Sequence, residues 1–295
     1  MIRKIMLALL ILLSPLTASA QTKLDAVASI SIIGDFVNQI GGDRVNLTVL
    51  VGPGGDAHIF QPTPADARRV GQSKLVFING LGLEGWLPRL VKSSGGRATI
   101  VTVSHNVPAI KESIDGHGHG HNLDPHAWQD VANAQLYVKN IGAALSAADP
   151  DGAPYYAERL RSYLAELDRL EAEMRLGLAQ IPTARRRMIT SHDAFGYFAK
   201  AYGLRFIAPQ GVSTEAEASS RDVARIIRQI RAEGIPAVFL ENISDPRLMM
   251  QIAHETGARI GARVFSDSLS DSSGPAPTYL EMMRNNLGAF VEALR

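Results

Sequence analysis

Short β-branched apolar runs alternate along this chain with stretches whose apolar residues recur every three or four positions, a pattern that predicts parallel α/β units. In the first half the runs are AVASISII (26–33), VNLTVLVG (45–52), KLVFIN (74–79) and ATIVTV (98–103). The second half has RMITS (187–191), RFIAP (205–209), AVFLE (237–241) and ARVFS (262–266). Four runs on each side predict two α/β lobes, each with a four-stranded parallel sheet flanked by helices, although no sequence repeat relates them. Between the halves Leu160, Tyr163, Leu164, Leu167, Leu170, Met174 and Leu178 keep helical spacing, with charges between them. They mark one amphipathic helix over 154–180, opened near Asp149-Pro150 and stopped by Pro182. At about 1.5 Å per residue it runs about 40 Å, the length of a whole domain. It is either a stiff bridge between lobes, which would limit hinge closure, or a surface helix of a single domain. The strand count favours the bridge, with lobes over 21–150 and 183–295 and the linker helix over 151–182.

Two further helices and a tail are marked by their ends. Ser220 can cap RDVARIIRQIRAE, whose Val223, Ile226, Ile227 and Ile230 face inward, and Gly234 ends it. Asp245-Pro246 opens a helix that reaches Glu255 before Gly257. In the tail Leu280, Met283, Leu287, Phe290 and Leu294 share one face, expected to be core.

The N-terminus departs from this pattern. Arg3 and Lys4 precede an apolar run, Ile5 to Leu13, and Ala18-Ser19-Ala20 follows as a small-residue cleavage site. The run is well short of the roughly 20 residues that span a bilayer. Residues 1–20 are therefore expected to be a cleaved signal peptide, with the mature chain starting at Gln21. A cysteine there would indicate a lipid anchor, and the chain has no cysteine at all. The expectation is a soluble, monomeric protein of the Gram-negative periplasm with no membrane anchor. Without cysteine there are no disulfides and no thiolate ligands, so any metal must sit on nitrogen and oxygen. Loss of Arg3 and Lys4 turns the formal charge of +1 into −1, which implies no basic face for nucleic acid.

Four of the eight histidines lie in DGHGHGHNLDPHA (115–127): His117, His119, His121 and His126. In open α/β sheets ligands bind at the carboxyl ends of strands. Metal-competent residues just after predicted strands are His58 in GPGGDAHIFQPTP, His126 in DPHAW, His192 in SHDAF and Asp267 in SDSLS. Two come from each half, so they would meet in the cleft between lobes. Each alone could be structural; their shared placement is what makes them a candidate site. Three imidazoles and a carboxylate suit Zn²⁺, whereas manganese prefers octahedral, oxygen-rich sites.

At these segments the chain resembles the metal-binding solute receptors of bacterial ABC importers, the cluster A-I (zinc and manganese) family. The resemblance rests on GGDAHIFQPTPAD, FINGLGLEGW, DPHAWQD, TSHDAFGYFAKAYGL, FLENISDPRLMMQIAHETGARI and FSDSLS, in the family's order over nearly the whole mature chain. It implies two α/β lobes bridged by a rigid helix, one metal in the cleft on His58, His126, His192 and Asp267, and an inner-membrane ABC permease as partner. His192 stands where manganese receptors of the family often have glutamate, which points to a zinc-type member. Manganese or iron is the alternative cargo. The chain departs from the best-known zinc receptors in lacking their cysteines and in its short histidine-rich loop.

The histidine-rich stretch then divides. His126 belongs to the site, with Trp128 expected beneath it. His117, His119 and His121 alternate with glycine, which denies them a fixed geometry. The loop over 115–121 is either a secondary metal-capture device, which a periplasmic metal carrier could feed, or a tolerated insert. GLGLEG (80–85) matches a dinucleotide fingerprint, yet no acid follows at the required distance, so its glycines are expected to make a tight turn. A periplasmic zinc hydrolase would need an open water position and a base, for which Glu241 and Asp193 are weak candidates. An adhesin-like interaction protein is the third class.

Overall fold

The two sets of apolar runs close into two separate parallel sheets in the computed structural model, which describes residues 22–111 and 123–295. Residues 1–20, expected to be a signal peptide, and His117, His119 and His121 lie outside the described residues. The first half runs β1 (Leu24–Ile30), α1 (Ser31–Gly41), β2 (Val45–Val51), α2 (Pro64–Gln72), β3 (Leu75–Ile78), α3 (Leu87–Ser94), β4 (Thr99–Thr102) and α4 (Val131–Ala148). Then comes the long α5 (Ala153–Ala179). The second half has β5 (Arg187–Ile189), α6 (Gly196–Tyr202), β6 (Arg205–Ile207), α7 (Ser220–Glu233), β7 (Ala237–Val238), α8 (Arg247–Thr256), β8 (Arg259–Ile260) and α9 (Tyr279–Leu294). Strand order is β2-β1-β3-β4 in one sheet and β6-β5-β7-β8 in the other, every pairing parallel. Each order reverses direction beside its first strand, which opens a crevice at the strands' carboxyl ends.

Three expected elements are displaced, each for a visible reason. The run at 26–33 stays extended only to Ile30, and Ile32, Ile33, Phe36, Val37 and Ile40 then bury one face of α1. A short apolar run does not by itself separate strand from buried helix. The run at 262–266 is not a strand: β8 lies earlier, and only Val264 pairs with the sheet, opposite Glu241. Side chains replace the ladder there, since Asn286 bonds both backbone groups of Phe265, and Trp128 and Gln129 donate to the Ser266 carbonyl. Finally, α7 is capped by Ser219 rather than Ser220, its hydroxyl accepting from the Asp222 amide.

The long helix runs as its spacing predicts, burying Tyr163, Leu167, Leu170, Met174 and Leu178 against α1, α4 and α9. One hydrophobic core continues from the first sheet along α5 into Phe195, Phe198 and Phe290 of the second half. A smaller core holds Ile226, Ile227 and Ile230 of α7 against Ile189, Val238 and Ile252. The C-terminal helix reaches back across the halves. Tyr279 packs on Phe36 with ring centroids 4.7 Å apart, takes Asp35 on its amide and donates its hydroxyl to the Trp128 carbonyl.

Candidate metal centre

His58, His126, His192 and Asp267 come together between the sheets, all buried, with one ligand atom from each lying within 4.8 Å of the others. Asp267 faces all three imidazoles. Its Oδ2 is 3.2 Å from both His58 Nε2 and His192 Nε2, and its Oδ1 is 3.5 Å from His126 Nε2. Bonds of about 2.0–2.2 Å place the ligand atoms of a regular tetrahedron about 3.3–3.6 Å apart, so these three edges have the spacing of a first coordination sphere. Among the described residues, all three Nε2 atoms and both Asp267 oxygens are buried without a hydrogen-bond partner. Buried polar groups are ordinarily paired, so an unpaired set of this size fits a cation at its centre.

Each ligand is aimed by its neighbours. His126 follows Asp124, whose Oδ1 accepts the His126 amide at 2.9 Å and lies 2.8 Å from its Nδ1. That contact leaves Nε2 directed at Asp267. The ring of Trp128 meets His126 edge-on at 5.4 Å, and its indole donates to the Ser266 carbonyl beside Asp267. His192 follows β5, and Glu241, three residues beyond β7, accepts the amides of Ser191 and His192 on one oxygen. Its other oxygen is 2.5 Å from His192 Nδ1. His58 follows β2 in a glycine-rich loop, with its amide on Asp56 Oδ1 at 2.9 Å. Trp86 donates to the Ala57 carbonyl, and a Thr63–Asp66 capping box, an N-terminal device of a kind that stabilises by about 1 kcal/mol, fixes the far end of the loop at α2.

The GLGLEG segment is the tight turn its glycines predict, with Gly80 and Gly82 at φ of 80° and 90°. Buried Glu84 gathers the Asn79 and Gly80 amides and the Ser29 hydroxyl. Asn79 then donates to the Pro125 carbonyl, one residue before His126. His105 and His254 are exposed and take no part. Asp56, Trp86 and Asp124 lie inside GGDAHIFQPTPAD, FINGLGLEGW and DPHAWQD, yet no sequence feature marks what each side chain holds in place.

Charge follows from this packing. Burial opposes a proton on His126, yet the carboxylates of Asp267 and Asp124 outweigh it and push its pKa up to about 9. His192 is likewise held well above the ordinary imidazole range, burial being overcome by Glu241 and Asp267. Burial would raise Asp267, but the two imidazoles hold it well below the usual carboxylate range. The site is therefore an anionic pocket that holds protons where a divalent cation would sit.

Comparison with known proteins identifies the class. Residues 26–293 match the family described as "Zinc-uptake complex component A periplasmic", and the chain belongs to that family. Among relatives, the manganese-binding lipoprotein MntA of Halalkalibacterium halodurans is 34% identical, covering 92% of this chain and 88% of its own. The manganese ABC transporter substrate-binding lipoprotein PsaA of Streptococcus anginosus is 32% identical over 94% and 91%. Among solved structures, the periplasmic zinc binding protein TroA from Treponema pallidum superposes with a TM-score of 0.86 at 31% identity, covering 92% of this chain and 99% of that one. A Mn-bound periplasmic metal binding protein from candidatus Liberibacter asiaticus gives 0.83 at 31% identity, over 93% and 100%.

Proposed function

We propose that this protein is a periplasmic zinc receptor that captures Zn²⁺ between its lobes, on His58, His126, His192 and Asp267, and delivers it to an inner-membrane ABC permease. The observation that carries this reading is the convergence of three buried, unpaired imidazole nitrogens on one unpaired carboxylate. Family membership supports the receptor role, because substrate-binding components of metal ABC transporters work with a membrane permease and its ATPase. Three nitrogen donors support zinc over manganese, as does the lower place of Mn²⁺ in the divalent affinity order. The relatives named for manganese make Mn²⁺ the rival cargo. The lobes of this proposal are 21–150 and 183–295, joined by 151–182. The periplasm, reached through a cleaved signal peptide over residues 1–20, is the proposed location, and the relatives named as lipoproteins make a membrane-anchored form the rival.

The arrangement argues against a hydrolase. Asp267 fills the fourth position that a catalytic zinc leaves to water, and Glu241 is committed to two amides and an imidazole. An adhesin-like role would be indifferent to the four ligands. Elemental analysis of metal-stripped protein, dialysed against equal limiting Zn²⁺, Mn²⁺ and Fe²⁺, tests the reading. One retained zinc per chain, lost in His192→Ala, supports it. Retained manganese or iron keeps the receptor and changes the cargo, and no retained metal overturns the site. For the loop over 115–121 we propose a metal-gathering role for His117, His119 and His121. Unchanged loading under zinc limitation after deletion of 115–121 would sink that role.

A further inference from the structure

The four ligands are not held alike. The rings of His126 and His192 each have a carboxylate of their own half behind them, Asp124 and Glu241. His58 is steadied through its backbone, by Asp56, and Asp56 is itself held from across the cleft. Its Oδ1 takes the His58 amide at 2.9 Å, while its Oδ2 accepts the Thr214 hydroxyl at 2.6 Å. Thr214 belongs to the segment between β6 and α7 of the opposite half. The His58 loop leaves β2 through Gly52, Gly54 and Gly55. A Cβ at Gly52 or Gly54 would meet nothing within 4 Å, and Gly54 has φ of +72°. The Gly54 amide, however, donates to the Leu269 carbonyl at 3.1 Å and the Ser268 hydroxyl to the Gly52 carbonyl at 3.3 Å, so this end of the loop is anchored beside Asp267. A cavity of about 570 Å³ lies beside the bond, lined by Asp56, Thr214, Ile59 and Ser191.

We infer that Asp56 and Thr214 form a latch across the mouth of the cleft that positions His58 on the ion and sets how long the ion stays. With the bond made, Asp56 cannot turn, the His58 amide is fixed and Nε2 remains aimed at the shared site. With the bond broken, Asp56 can rotate off the His58 amide, and His58 alone loosens beside the anchored Gly54 and Ala57, while the other three ligands keep their supports. Asp56 and Thr214 are positioning residues, since neither lies in the ligand set.

The inference rests on the metal-centre reading, and one experiment separates the two. Metal-stripped protein is loaded with Co²⁺, whose visible absorption reports a nitrogen–oxygen site, and mixed rapidly with excess EDTA. Thr214→Val, which keeps the shape and removes the hydroxyl, is expected to release cobalt about tenfold faster, the scale of a lost hydrogen bond to a charged group. Thr214→Ser, which keeps the hydroxyl, is expected to release at the wild-type rate, and Thr214→Val to unfold without metal in one cooperative transition at a slightly lower melting temperature, as the loss of one hydrogen bond requires. Equal release from Thr214→Val and wild type overturns the latch, and so does fast release from Thr214→Ser. His58→Ala serves the parent reading: if it holds cobalt as wild type does, or if wild type holds none, the metal centre falls and the latch with it.

Discussion

At His126 a proton and a metal compete for the same imidazole. Its folded pKa of about 9 lies above the ordinary imidazole value of about 6.5, so the proton stabilises the metal-free fold. A raised histidine pKa contributes fully below the unfolded value and is lost as pH rises through the folded one. The metal-free protein should therefore lose stability between about pH 6.5 and 9, as seen in urea titrations across that window. Metal binding runs the other way, because the cation must displace that proton. Chelator competition should show affinity rising over the same interval, with proton release detectable as a buffer-dependent heat. Affinity that is flat with pH would contradict this assignment. Glu241→Gln should weaken retention by about 10–100-fold, since it removes the charge behind His192 while leaving every ligand in place. At this scale the clustered residues are legible unevenly: His58, His192 and Asp267 come soon after apolar runs, whereas His126 lies beyond the histidine-rich stretch. Their supports are not legible, because a sequence shows which residue carries an imidazole and not what its second nitrogen touches.

Helices and strands read less evenly. The long α5 and the tail helix keep the periodicity that marks them, because a 3.6-residue repeat sustained over many turns suits neither a strand nor a loop. The short strands are present but trimmed, and ARVFS is not a strand because Asn286, Trp128 and Gln129 take the backbone groups that a neighbouring strand would have used. Such tertiary substitution leaves no local trace. The packing of α2 on α3 offers a test at this level. A Cβ on Gly71 would stand 2.6 Å from the Ser94 carbonyl oxygen, a backbone atom with no rotamer to yield. Gly71→Ala should destabilise the fold by about 1–3 kcal/mol despite the better helix propensity of alanine, and a urea midpoint at or above wild type would refute the close packing.

For the whole molecule, the sequence supports a stiff bridge, and the structure adds ties that only a folded chain can have. The core passes without interruption from one half to the other, and Tyr279 fastens the last helix to Phe36, Asp35 and Trp128. Small-angle scattering should accordingly give nearly the same radius of gyration with and without zinc; a large contraction would show a hinge these contacts forbid. Zinc at about a thousand times its dissociation constant should still add about 4 kcal/mol of stability, visible as a raised melting temperature, because the unfolded chain presents no assembled site. These ties also limit what the molecule can signal. A vessel whose halves are sewn through a common core has almost the same silhouette empty or full. Any partner that accepts only laden carriers must then inspect a detail at the rim rather than the outline, much as one reads a seal and not the shape of the jar.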